Sequence, residues 1–310
     1  MAMGRYRRSV AEKIVRLSDI LVRFSADPLL SRSLSLGGGT ALNMVHISPP
    51  PRLSEDLDFN YRHLQKRDWG DVRSDIDRSV KDVLYALGYA HGQVRIQAFY
   101  NLGRFHIHYE TSEGIPDSLK IEIGYMRRMP ILRTDARLPF IHPSTGERAM
   151  VTTAQREEAF ANKVCTLVAR RGELSYPRDL FDVSTISQQD ADLSLLVDVL
   201  MIDALMDGLD LASVSVRPHA QWHVERLNLM TGTVVDLAPV IDGATQFFER
   251  VRAMALDRTW TEFDNDFKAT GKVRLDLLSN PDQINPDIER HPQLLWMRRP
   301  RTEGNPAGGD

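Results

Sequence analysis

Asp56 and Asp58 stand one residue apart in the run SEDLDFNY, which follows a glycine turn within residues 36–59, LGGGTALNMVHISPPPRLSEDLDF. Leu57 and Phe59 alternate with the two acids, the period-2 pattern of a strand with one wet face. On such a strand positions i and i+2 project from the same face. Two carboxylates held that close repel each other unless a cation lies between them. Mg²⁺ suits the pair, because it prefers oxygen ligands and commonly takes one or two carboxylates plus substrate phosphates; Mn²⁺ is the alternative. The turn Gly37, Gly38, Gly39, Thr40 can bring bare amides and a hydroxyl against a phosphate near a helix start. An anion cradle beside a cation seat suits phosphoryl or nucleotidyl transfer, which depends on positioning and charge neutralisation. Either feature alone has a plain reading, as a solvated strand face or a loop. The turn lacks the Gly-Lys-Ser/Thr of a P-loop and the Gly-x-Gly-x-x-Gly of a dinucleotide fingerprint.

Further chemistry-bearing residues follow. In SLKIEIGYM, Glu122 alternates with Ile121 and Ile123 and so faces the polar side of its strand. Its plain reading is a strand glutamate paired with Lys120 or an arginine. Arg156, Lys163 and Arg170 are seven apart and form a basic stripe, with Phe160, Val164, Leu167 and Val168 on the opposite side. Such a stripe is ordinarily a solvated face. Asp179 and Asp182 share one face of the next helix, and a hairpin would bring its first turn towards the stripe. Arg127, Arg128 and Arg133 follow the Glu122 strand and read equally as an RNA track or a solvated loop. His106 and His108 share a strand face, with no third zinc donor near them in sequence.

GGGTALN followed by RLSEDLDF resembles the signature of the DNA polymerase β-like nucleotidyltransferases, and more narrowly that of the AbiEii/AbiGii toxins of bacterial toxin–antitoxin and phage-defence systems. The resemblance is strongest over residues 36–59, weaker over 119–182, and does not extend beyond about 200; the loop SPPPR is long for the family. It implies an α+β fold with a mixed sheet and flanking helices, followed by a C-terminal helical bundle. It implies a metal-dependent enzyme that moves an NMP from an NTP to an acceptor such as RNA or tRNA and releases pyrophosphate. Asp56 and Asp58 would then hold the metal, with Glu122 as the third acid. Gly38, Gly39 and Thr40 would receive the phosphates. Lys163, Arg178, Asp179 and Asp182 match the family's Lys and Arg-Asp-x-x-Asp elements. Lys163 would contact the triphosphate, Arg178 would help bind the nucleotide, and Asp182 would orient Lys163 or a nearby base. Asp179 would hold Arg178 or cap its helix. An antitoxin partner is implied as well. A nucleotide-binding module without transfer activity, or a phosphotransferase of the same superfamily, are the alternatives.

The elements that must position these residues are legible in outline. Val10, Ile14, Leu17, Leu21 and Phe24 mark a helix over 8–26, and a second helix over 68–88 ends at Gly88. QVRIQAFY, RFHIHYE and SLKIEIGYM read as strands of a meander, added antiparallel to the first two. From Thr153 the pattern becomes helical: a helix ended by Gly172, another opened by Pro177, and helices over 193–208 and 241–256. The expected division is 1–150, a nucleotidyltransferase α/β domain; 151–298, a helical domain completing the site; and 299–310, a disordered tail.

With 310 residues, 42% hydrophobic and 26% charged, the chain can bury one large core or two ordinary ones. A net charge of −3 argues against generic nucleic-acid binding, so any such contact must be local. The single cysteine, Cys165, excludes an internal disulfide, suits a reducing cytoplasm, and lies in a helical pattern as a small buried hydrophobe. The basic opening lacks the apolar run of a secretory signal, and no stretch approaches the ~20 apolar residues of a membrane span. A cytoplasmic protein with no membrane contact is expected.

Overall fold

The structure, a computed structural model, describes residues 3–63, 67–170, 176–216 and 224–298. Gly172 and the segment 299–310 lie outside the described residues. Helix α1 (Arg8–Ala26) buries Val10, Ile14, Leu17, Leu21 and Phe24, as their spacing predicts. One turn of helix, α2 (Leu30–Ser33), leads into the fully buried strand β1 (Leu34–Leu36). The glycine turn then opens α3 (Gly38–Ala41), which widens into a π-type turn over Leu42–His46. The following prolines cannot continue a helix, and the chain emerges as β2 (Asp56–Tyr61), alternately half-buried and buried. Asp68 caps α4 (Trp69–Ala86) by accepting from the Gly70 amide. The next three strands, β3 (Val94–Ala98), β4 (Leu102–Glu110) and β5 (Pro116–Gly124), form the expected antiparallel meander.

Two features depart from expectation. Strands β6 (Ala136–Ile141) and β7 (Arg148–Thr153) form a further hairpin before the helices begin. Pro139 interrupts the strand signal of β6, yet is tolerated because β6 is an edge strand. The sheet order is β3-β4-β5-β2-β1-β7-β6. The meander joins β2 in parallel, and β7 joins β1 in parallel, so the expected antiparallel addition is corrected. The intervening α4 and the β3–β4 hairpin carry the chain back so that β5 enters in the direction of β2.

Side chains alternate across this sheet. On one face Leu57, Phe59, Phe105, Ile107, Ile121 and Ile123 pack with residues of α1 and α4, among them Ile14, Leu17, Val72 and Ile76. Each large side chain so buried contributes about 1.5–3 kcal/mol. The strand register places Asp56, Asp58, Asn60, Lys120, Glu122 and Arg104 together on the opposite face.

The back half is helical: α5 (Arg156–Ala169), α6 (Tyr176–Ile186), α7 (Leu193–Asp207), α8 (Glu225–Thr231), α9 (Leu237–Asp257), α10 (Trp260–Thr270) and α11 (Pro292–Met297). Every residue of α7 from Leu196 to Met206 is buried, which makes it the central helix of a second core. Its two interior acids are paired: Asp198 accepts from the Ser279 and Asn280 amides, and Asp203 takes the Arg127 guanidinium. Helix α5 packs on α6 and α7, and α6 packs on α9. Leu42, Ile47, Ile131 and Leu132 join this helical core, whereas Met230 of α8 joins the sheet's core. The chain finally returns to the sheet. Arg133 donates its amide to Gln283, and Asn285 donates its amide to Ile131, pinning the loop that carries Arg127.

Candidate active site

The glycine turn is stitched to β2 along its length. The Gly37 amide donates to the Asp58 carbonyl at 2.7 Å, and the Thr40 hydroxyl donates to the Asp56 carbonyl at 2.6 Å. Thr40 is buried, so the hydroxyl expected at a phosphate instead anchors the turn to the strand of the acids. Gly38 adopts φ +60°, and a β-carbon there would fall 2.1 Å from Asp58 Oδ2. Both the left-handed backbone and the contact require glycine. The Asp58 carboxylate therefore rests on the bare turn.

A cavity of about 330 Å³ opens at this point, lined by Gly38, Asp58, Asn60, Glu122, Arg127 and Lys163 among others. The plain reading of the Arg156, Lys163 and Arg170 stripe as one solvated face does not describe Lys163. Arg156 and Arg170 are exposed, but Lys163 is only 7% exposed. Its ammonium lies 3.0 Å from Asp182 Oδ2 and 3.7 Å from Asp179 Oδ1. Periodicity alone does not separate a buried, paired lysine from a solvated one. Asp179 thus faces Lys163, in place of the expected Arg178 or helix cap, because α6 packs its acidic face on α5. Arg178 is half-buried and does not line the cavity, and its side chain has no hydrogen bond or ion pair among the described residues.

Asp182 is the hub behind this wall. Fully buried, it accepts from Arg52 Nε at 2.7 Å and Nη2 at 2.6 Å, and from Asn43 Nδ2 at 3.0 Å. Burial alone would raise its pKa, but the charges of Arg52 and Lys163 and the hydrogen bonds hold it far below the usual carboxylate range. Asn43 also donates to the Gly39 carbonyl. One carboxylate therefore ties together the glycine turn, the proline loop and α5. Sequence reasoning missed Arg52 in this role. The arginine of RLSEDLDF was its only visible signal.

Glu122 lies beside Asp58 in register, as expected, but its carboxylate is engaged. Arg104 Nε donates to Oε1 at 2.6 Å, and the Lys120 ammonium sits 3.5 Å from Oε2. Burial would raise its pKa, and Lys120 and Arg104 hold it lower than usual. The plain reading, pairing with Lys120 or an arginine, describes this geometry. Among the described residues no three side chains of the metal-binding types cluster closely enough to hold an ion. Asp56 Oδ2 is likewise 3.5 Å from the Lys120 ammonium, and of the three acids Asp58 and Glu122 line the cavity. Two carboxylates fit an ion that brings phosphate ligands with it.

Burial, and then the charges of Asp56 and Glu122, push Asp58 up to about 6, with Lys120 and Lys163 pulling only partly against them. This marks a deficit of positive charge at the carboxylate that faces the cavity. A proton and a cation compete for it. Mn²⁺ affinity, titrated in the presence of an NTP, is expected to hold above pH 6 and to weaken about tenfold per pH unit below it. An affinity flat from pH 7 to 5 would remove Asp58 from the cation site.

The three arginines after β5 separate. Arg127 lines the cavity, held by Asp203 and by Asp207 at 2.9 Å. Arg128 stacks on Trp69 at 3.9 Å, and Arg133 donates to the Asp282 carbonyl. They form no single track. Cys165 is buried, and burial raises its thiol pKa further, which fits an inert core residue. No helix among the described residues is long and apolar enough to cross a membrane.

Paired strand carboxylates set against a glycine-opened helix, in a mixed sheet flanked by helices, define a nucleotidyltransferase frame. The model of the family of nucleotidyltransferase AbiEii toxins of type IV toxin–antitoxin systems matches residues 19–283, and the chain belongs to that family. It is a nucleotidyltransferase toxin, as the resemblance implied. MenT4, a nucleotidyltransferase toxin from Mycobacterium tuberculosis H37Rv, is similar over 94% of both chains at 17% identity with a TM-score of 0.59, a likeness of fold. An antigenic nucleotidyltransferase-like protein from Paracoccidioides brasiliensis matches 56% of this chain and 75% of its own at 13% identity, with a TM-score of 0.38. No curated protein matches the chain.

Proposed function

We propose that this enzyme moves an NMP from an NTP to an RNA acceptor, tRNA ends included, with Mg²⁺ or Mn²⁺ as cofactor, and that a cognate antitoxin restrains it in the cytoplasm as part of phage defence. The observation that carries the reading is the seat of Asp58 on Gly38 at the wall of a cavity that also receives Lys163. The triphosphate lies on the backbone of Gly37 and Gly38, which line the cavity, whereas Gly39 is buried against Ser54 and Arg52. Lys163, aimed by Asp182 and Asp179, meets it as a point charge. A divalent ion, when bound, would be held by Asp56 and Asp58 and would supply charge that offsets the phosphates. The acceptor hydroxyl oxygen bonds to the α-phosphorus, the bond from that phosphorus to the bridging oxygen breaks, and pyrophosphate leaves. The hydroxyl proton passes to the carboxylate face and on to water. In this reading residues 1–150 supply the carboxylates and glycines, and 151–298 supply Lys163 and Asp182.

An exposed aromatic rim supports an RNA acceptor. Tyr100 is 61% exposed and Phe99 42% exposed in the β3–β4 turn, next to Leu102 of the cavity wall. Trp69 backs Tyr100 edge-on at 5.6 Å. Such a rim can stack an unpaired base. The test incubates the protein with each α-labelled NTP, a divalent ion and total RNA. Label on RNA with release of pyrophosphate is expected. Release of NDP would establish a phosphotransferase, and NTP binding without any transfer would establish a binding module.

A further inference from the structure

Lys120 has no part in the reaction as set out above, yet it occupies the centre of the acidic face. Strand register places it opposite Asp56, and Glu122 follows two residues later on the same face of β5. Its ammonium is 3.5 Å from Asp56 Oδ2 and 3.5 Å from Glu122 Oε2. The side chain is 34% exposed, so the contact is partly shielded from water. The free oxygen of Glu122 is closed off by Arg104 at 2.6 Å. Carboxylates on neighbouring strands that a second divalent ion would bridge are thus already bridged by the Lys120 ammonium.

We propose that Lys120 takes the place of a second divalent ion, so that the enzyme works with one ion, seated on Asp56 and Asp58 and carried in with the nucleotide. The inference rests on the nucleotidyl-transfer reading of the site. The local charges are consistent with it. Asp56, Asp58 and Glu122 carry three negative charges, Lys120 and Arg104 return two, and Lys163 is committed to Asp179 and Asp182. One divalent ion suffices for the remainder and for part of the triphosphate. A second ion at Asp56 and Glu122 would have to expel the ammonium and lie against the Arg104 guanidinium, a like charge. A lysine suits the position because it is a compact point charge on a flexible stem.

The test counts ions directly. Mn²⁺ binding to the full chain is measured by electron paramagnetic resonance with a non-hydrolysable NTP analogue present. About one Mn²⁺ per chain is expected for the wild type, about two for Lys120→Met, and about one for Lys120→Arg, which keeps the charge. Two tight ions in the wild type would overturn the inference while leaving nucleotidyl transfer intact. So would a Lys120→Met chain that stays at one, or a Lys120→Arg chain that rises to two. No bound Mn²⁺ in the wild type would instead sink the metal-assisted reading, and this inference with it. A wild-type count of two would overturn the inference even if a variant fails to fold.

Discussion

Replacing Asp58 by asparagine is expected to cut nucleotide transfer by at least about 100-fold and, at pH 8, to leave the protein slightly more stable than the wild type. The two effects have one cause. Asp58 is the carboxylate on the bare turn, with Asp56 two residues before it and Glu122 alongside. Its pKa is raised from 3.8 to about 6 by burial and by those two acids. Between these values the folded chain holds the proton more tightly than the unfolded chain. The ionised carboxylate therefore costs stability once the pH exceeds 6, and that cost disappears below pH 4. Asparagine carries no charge at any pH. Its advantage, discounted for partial exposure, is about 1 kcal/mol at pH 8, or roughly 2–4 °C in Tm. It should fade as the pH falls to 4. Transfer should fall by at least about 100-fold, the scale seen when one preorganised electrostatic group is removed. Thermal melts at pH 4 and 8 beside the label-transfer assay check both halves. A variant that loses activity and stability together at pH 8 would make Asp58 a structural residue.

The features legible in the sequence are those with a short period. Asp56 and Asp58 alternate with buried Leu57 and Phe59, and that alternation alone set the acids on one face. The apolar spacing of α1 and the turn residue Gly88 were equally plain. What escaped was long-range. Arg52 sits in a proline loop and Asp182 in a helix far along the chain, and no local pattern couples an ion pair of that separation. Lys163 was singled out, but its burial was not, because a helix face shows a lysine whether water or a carboxylate meets it. Lys120 read only as a partner for Glu122. Its bridge to Asp56 needed the parallel register of β2 and β5, which the meander pattern concealed. Beyond Thr270 the chain returns to the sheet through short turns, and that segment has no period from which to place it.

The burial of Lys163 makes the active site dependent on a group that need not touch substrate. Asp182→Asn is expected to destabilise the protein by about 3–5 kcal/mol, the usual cost of leaving a buried ion-pair partner unmatched. Asp182 is 0% exposed and is met by donors on every side: two from Arg52, one from Asn43 and the Lys163 ammonium. Asparagine would turn its own N–H groups towards one of those donors and would leave two cations with the half-engaged Asp179. The wild-type carboxyl is strongly depressed, so its contribution is present above pH 4 and is lost only in strong acid. The deficit of the variant should accordingly be flat from pH 5 to 8, in contrast with the pH-dependent gain of the Asp58 variant. Urea unfolding across that range measures it. At a temperature where the variant remains folded, Lys163 loses the anchor that aims it at the cavity, and the KM for NTP should rise about tenfold or more, as when a group supporting a ligand-binding residue is removed. A folded variant with unchanged KM would show that Lys163 is positioned by Asp179 alone.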